Sequence, residues 1–139
     1  MPAFTSGRSI RVRGELSANL GIVVDTAIKH IDFSLISGAR DTEQQQRLFH
    51  EHRSTLDGIN KISKHQISDA EPLARAFDFI PAPFTSWDDR PIFTLYAGFF
   101  LGIGWEKGVE LTWRGDWDGD FRWTDQNFHD LPHMEEKNV

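Results

Sequence analysis

Two short segments of this chain, far apart in sequence, hold side chains that could do metal chemistry. Ser63-Lys64-His65 runs on to Arg75-Ala76-Phe77-Asp78, and Asp130-Leu131-Pro132-His133-Met134-Glu135 lies near the end. Catalytic zinc takes three protein N/O ligands and keeps its fourth position for a water that it acidifies. His65, Asp78 and His133 would supply the ligands, and the spare carboxylate of Asp130 would handle that water's proton. The chain contains no cysteine, so any zinc must be held by His and Asp or Glu.

Each residue also has a plainer reading. A loop histidine such as His65 is by default solvated, Asp78 could pair with Arg40 or Arg75, His133 could be a surface histidine, and Asp130 could cap a turn. Context argues for more. Asp78 interrupts the apolar run Ala76-Phe77-Asp78-Phe79-Ile80, where a buried carboxylate is expected to be paired or bound to a metal. Pro132 fixes its own φ near about −65° and stiffens the backbone that presents His133. The acidic run Asp116-Trp117-Asp118-Gly119-Asp120 invites a calcium reading, but an EF-hand loop needs Gly at its sixth position and a bidentate Glu at its twelfth. Phe121 and Asn127 stand there. An EF-hand is excluded, while a weaker calcium site on these acids stays open. His50 and His52 do not share a helix face.

The elements that must position these groups follow from hydrophobic spacing. Leu16, Leu20, Val23, Val24, Ala27, Ile28 and Ile31 recur at steps of three and four, which predicts a helix across roughly residues 17–30. Ile31, Phe33 and Leu35 alternate with polar residues as a strand closing at Ser37-Gly38. Asp41 or Thr42 can cap a helix that buries Leu48 and Phe49 and runs to about His52. The polar stretch from Ser54 to Gln66 reads as a long loop that delivers His65, and Ala74 to Ile80 as a second strand, stopped by Pro81 and Pro83. Pro91 to Leu101 reads as a buried helix with Pro91 in its first turn, packed through Ile92, Leu95, Tyr96, Phe99 and Phe100. Gly102, Gly104 and Gly108 punctuate its exit. Val109 to Trp113 is another strand, and Arg114 to Phe128 is irregular.

Composition bounds the rest. The 139 residues, 39% apolar with five Trp and eleven Phe, can bury one sizeable core and suggest a single domain over 1–139. Met1 to Gly14 lacks the apolar run of a signal peptide or membrane helix, so a soluble product made in the cytoplasm and no membrane insertion are expected. A net charge of −6 offers no basic face for nucleic acid.

Taken together, these motifs resemble the family of zinc D-Ala-D-Ala carboxypeptidases and endopeptidases, most closely the small phage endolysins that are L-alanyl-D-glutamate peptidases. The resemblance runs through Asp32-Phe33, Ser37-Gly38-Ala39-Arg40, Gln45, Leu48, Ser63-x-His65, Ala76-Phe77-Asp78, Gly115-Asp116-Trp117 and the closing Asp130 to Glu135. It implies an α+β fold, a small antiparallel sheet with flanking helices of the Hedgehog/DD-peptidase kind. It also implies His65, Asp78 and His133 as ligands of one zinc ion, with Asp130 as the catalytic acid/base. Arg40 would bind the oxyanion or a substrate carboxylate, Ser63 would shape the ligand loop, and Glu135 would orient a ligand, with Gln45 and Trp117 also at the site. The implied substrate is the stem peptide of peptidoglycan, cut by a monomer that waits in the host cytoplasm until a holin opens the route to the periplasmic wall. A carboxypeptidase releasing D-Ala, a cross-link endopeptidase and a non-catalytic wall-binding domain are the alternatives. The family's His-to-Asp spacing is shorter than that between His65 and Asp78, so an insertion over Ile67 to Leu73 is expected, with Asp69 as the competing carboxylate.

Overall fold

The computed structural model describes residues 3–116, 119–122 and 130–137. Helices α1 (Gly7–Glu15) and α2 (Ala18–Ile28) precede strand β1 (Phe33–Ser37) and helix α3 (Thr42–His50). Strand β2 (Ala76–Pro81), helix α4 (Arg90–Lys107) and strands β3 (Leu111–Trp113) and β4 (His133–Glu136) complete the order. The strands form one antiparallel sheet in the order β1-β2-β4-β3. This is the α+β architecture that the sequence led one to expect.

The strand period of two divides the sheet's labour. Phe77 and Phe79 of β2 point into the core, where both rings meet Phe100 of α4 edge-on at 5.5 and 4.9 Å, and Met134 of β4 pairs with Phe77 on the same face. Asp78, between the two phenylalanines, necessarily faces the other way. In the register, Asp78 stands opposite His133 and Ala76 opposite Glu135, so antiparallel pairing itself brings the second segment's groups to the first segment's carboxylate. A register shift between Leu35 and Ser37 interrupts the β1–β2 ladder beside Asp78, which Ser37 faces across the pair.

Several expectations need correction. The helix α1 falls at the N-terminus, where hydrophobic spacing predicts no element; Ser6 caps it, and Val12 and the Ser9 hydroxyl, which accepts from the Leu35 amide at 3.1 Å, tie it to β1. In α3 the buried residue is Gln45, whereas Leu48 is half-buried and Phe49 exposed. Helix α4 does not exit at Gly102: it runs through Gly102 and Gly104 to Lys107 and stops at Gly108, whose φ of 73° is the left-handed C-cap geometry. Gly104 is needed inside it, because a Cβ there would lie 2.5 Å from the Val109 carbonyl oxygen. Leu95 faces solvent, and Phe93, Ala97 and Ile103 join Tyr96 and Phe100 in the core. Beyond the irregular stretch, His133 opens strand β4.

Candidate metal centre

Between α3 and β2 the chain has no helix or strand, yet its end is firmly set. The amide of Arg40 donates to the His65 carbonyl at 2.8 Å and the amide of Ile67 to the Arg40 carbonyl at 2.8 Å. Ser63 is buried, and its hydroxyl accepts from the His65 amide at 3.2 Å, a local turn that fixes the backbone entering the site. Within the Ile67 to Leu73 stretch, Ser68 to Glu71 form an exposed turn, with the Ser68 amide donating to the Glu71 carbonyl at 2.9 Å. Asp69 is exposed on that turn and takes no part in the cluster below.

His65, Asp78 and His133 converge. His65 Nε2 lies 3.1 Å from His133 Nδ1, and Asp78 Oδ1 lies 3.3 Å from each of those nitrogens. The far nitrogens are committed: His65 Nδ1 donates to the Gly38 carbonyl at 2.7 Å and His133 Nε2 donates to Glu135 Oε1 at 2.9 Å. A carbonyl and an ionised carboxylate only accept, so the facing nitrogens of the neutral rings carry lone pairs, not protons. Three electron-rich atoms thus crowd together, and Asp78 Oδ1 is buried with no hydrogen-bond partner. A cation resolves this arrangement. A tetrahedral zinc bound at about 2.0–2.1 Å to each atom requires ligand-to-ligand edges of about 3.3–3.4 Å, close to the triangle observed. The residues therefore fit a small divalent ion, and among the described residues this is the group able to hold one.

The electrostatics act on the three groups in different directions. Burial pushes the His65 pKa down, favouring the neutral ligand form. Burial opposes charge on Asp78 too, but the two neighbouring imidazoles, His65 first and then His133, outweigh it and hold the carboxyl far below its usual range. For His133, burial is again opposed by its neighbours Asp78 and Glu135, and the balance raises its pKa, so that a metal binding there displaces a proton that the two carboxylates favour in its absence. Glu135 resists desolvation and is brought down to about 2, first by the His133 hydrogen bond and then by the charges of His133 and Arg114.

A cleft of about 220 Å³ opens beside the cluster. Asp130 lines it, and among the described residues its carboxylate makes no hydrogen bond. Burial and the negative charge of Asp78 raise its pKa above the ordinary carboxylate value. Arg40 also lines the cleft; its Nη2 lies 3.7 Å from Asp78 Oδ2 and its Nη1 donates to Gln45 Oε1 at 3.2 Å. Gln45, fully buried, spends its amide nitrogen on Ser54 Oγ at 2.9 Å and the Leu56 carbonyl at 2.8 Å. Trp117 lies outside the described residues, as does Asp118 of the acidic run. Asp116 and Asp120 accept from the amides of Phe121 and Arg122, both at 2.8 Å.

Sequence reasoning missed three contributors. Arg114 Nε lies 3.0 Å from Glu135 Oε1, and Lys64 Nζ lies 3.1 Å from Glu135 Oε2; the alternation of Lys64 with Ser63 and His65 was the available signal for the second. Arg53 enters the cleft through backbone geometry that no spacing rule reveals.

The chain resembles a solved structure, the Serratia marcescens L-Ala D-Glu endopeptidase ChiX, with a TM-score of 0.72 at 20% identity, over 96% of this chain and 89% of that one. The likeness establishes the fold. No curated protein matches the chain. Among the described residues, no helix is long and apolar enough to cross a membrane. The family model described as phage L-alanyl-D-glutamate peptidase matches residues 4–136, and the chain belongs to that family.

Proposed function

We propose that the chain is a single catalytic domain that hydrolyses the L-Ala–D-Glu bond of peptidoglycan stem peptides, using one zinc ion held by His65, Asp78 and His133. The observation that carries this reading is the triangle of lone pairs at 3.1–3.3 Å with both outer ring nitrogens already committed. A metal of that kind, when bound, supplies Lewis-acid polarisation of the scissile carbonyl and brings a water's pKa toward about 7. Zinc suits the all-N/O donor set of a chain without cysteine.

The chain's own residues do the remaining work. Asp130 takes the proton of the attacking water and returns it to the leaving D-Glu amine; its raised pKa suits both directions of transfer. Arg40, clamped by Gln45 beside Asp78, directs its N–H groups at the carbonyl oxygen as negative charge develops there. Glu135 fixes the His133 tautomer, as Gly38 fixes that of His65. A monomer needs nothing more for this chemistry. In a phage setting the substrate is the periplasmic wall, reached once a holin opens the inner membrane.

The test is digestion of purified Gram-negative peptidoglycan by zinc-loaded protein beside Asp130→Asn, with mass spectrometry of the products. New N-terminal D-Glu, absent with the variant, is the expected result. Released D-Ala would assign a carboxypeptidase, and binding without cleavage a wall-binding module.

A further inference from the structure

The cleft wall after α3 is built by an unusual backbone. His52 adopts φ 58°, a left-handed conformation that a non-glycine residue holds only when its surroundings enforce it. Around it the Glu51 amide bonds the Arg47 carbonyl at 2.9 Å, and the Arg53 amide returns to the Leu48 carbonyl at 2.9 Å. The chain reverses there, so that Arg53, Ser54, Thr55 and Leu56 line the cleft. Gln45 then bolts Ser54 and Leu56 in place.

Three guanidiniums consequently line one cleft, those of Arg40, Arg53 and Arg114. Their commitments differ. Arg40 is held by Gln45 and Asp78, and Arg114 by Glu135. Arg53 pairs with Glu51 at 3.8 Å, with side chains 69% and 45% exposed; a pair so open to solvent is weak and readily exchanged for a better partner. Arg53 is also near enough for its charge to bear on Arg40. It is therefore the cleft cation best able to turn to a ligand.

The substrate has a group to match. In a stem peptide D-Glu is joined onward through its γ-carboxyl, so the carbon attached to the scissile nitrogen also carries a free α-carboxylate. Where the wall contains D-isoglutamine, an uncharged amide of the same shape replaces it. Resting on the peptidase reading above, we propose that Arg53 recognises the α-carboxylate of D-Glu and makes the protein selective for the unamidated stem peptide. A planar guanidinium grips a carboxylate with two parallel charged hydrogen bonds and has no equivalent grip on an amide.

The experiment compares kcat/KM on two soluble muropeptides that differ only in D-Glu against D-isoglutamine, for the unaltered protein, Arg53→Gln and Arg53→Lys, with bound zinc measured in each. The unaltered protein should prefer the acid roughly ten- to a hundredfold, the range of a hydrogen-bonded charge. Arg53→Gln should abolish that preference by losing rate on the acid alone, mainly through KM, with zinc content unchanged, and Arg53→Lys should keep part of it. An equal loss on both substrates would make Arg53 a structural residue and overturn the proposal. An undiminished preference in Arg53→Gln would also overturn it while leaving the peptidase reading intact. Failure of the unaltered, zinc-loaded protein to cut either substrate would remove that reading and this inference together.

Discussion

His133 Nε2 donates to Glu135 Oε1 across 2.9 Å, two residues along the same strand. Because β4 alternates faces, both side chains lie on the polar side of the sheet while Met134 between them enters the core. One strand thus supplies the proposed ligand and the group that orients it, and Glu135 is held in turn by Arg114 on the same oxygen and by Lys64 on the other. The ring cannot rotate without breaking a charged network.

Replacing Glu135 with Gln should therefore act on the metal first. The amide can present its nitrogen to His133, leaving the tautomer unspecified and Lys64 and Arg114 without their anion. Zinc affinity should fall about 10- to 100-fold, read by competition with a chromophoric chelator, and activity should return at higher zinc. In the unaltered protein Glu135 titrates at about 2, below its unfolded value, so its stabilisation is complete above the ordinary carboxylate range and is lost as pH falls toward 2. Unchanged zinc affinity in the variant would show that Glu135 is not what orients His133.

Asp130→Asn should leave zinc binding intact and lower kcat about 10²- to 10⁴-fold, the usual worth of a general acid-base. The pH profile carries a further expectation. A base must be deprotonated to act, and burial together with Asp78 raises this carboxyl's pKa. The acid limb of kcat/KM should accordingly lie above the ordinary carboxylate value of about 3.9. A limb at or below that value would remove Asp130 from the base role.

How far the site could be read from sequence depended on the kind of signal. Asp78 was legible because a carboxylate in an apolar strand is anomalous, and the α2 stripe and the Asp41 cap were legible because they are local. The helix α1 was not, since its buried face amounts to Ser9 and Val12 and leaves no periodic stripe. Glycines within α4 were mistaken for an exit because Gly104 is there for close approach to Val109, a tertiary reason. The β2–β4 register that sets His133 opposite Asp78, and the left-handed His52 that brings Arg53 to the cleft, are non-local or conformational facts that composition does not encode.

Gln45 offers a test of the cleft's rigidity. Its side chain is fully buried, with one atom on Arg40 and the other on Ser54 and Leu56. Gln45→Leu, close in volume, strips all of these partners at once and leaves the Leu56 carbonyl without this donor. Stability should drop by about 1–3 kcal/mol, the cost of stranding a buried polar group, seen as a lower denaturant midpoint. Activity should fall further than stability alone explains, because Arg40 loses its clamp. A stable variant with full activity would show that Arg40 needs no such support.

Metal removal should be felt in the fold itself. Burying His65, Asp78 and His133 against one another brings together groups whose lone pairs call for a cation, so an ion that binds the native arrangement and not the unfolded chain must stabilise it. At zinc one hundredfold above its dissociation constant the gain is about 2.7 kcal/mol. Thermal melts of chelator-treated protein should therefore shift upward on adding zinc, and the shift should grow with zinc concentration. His65→Ala removes one corner of the triangle and should flatten that dependence, whatever it does to the starting melting temperature. Because the comparison is of slopes against zinc, a variant that is merely less stable would still show the rise, and an undiminished rise would mean that the ion binds elsewhere.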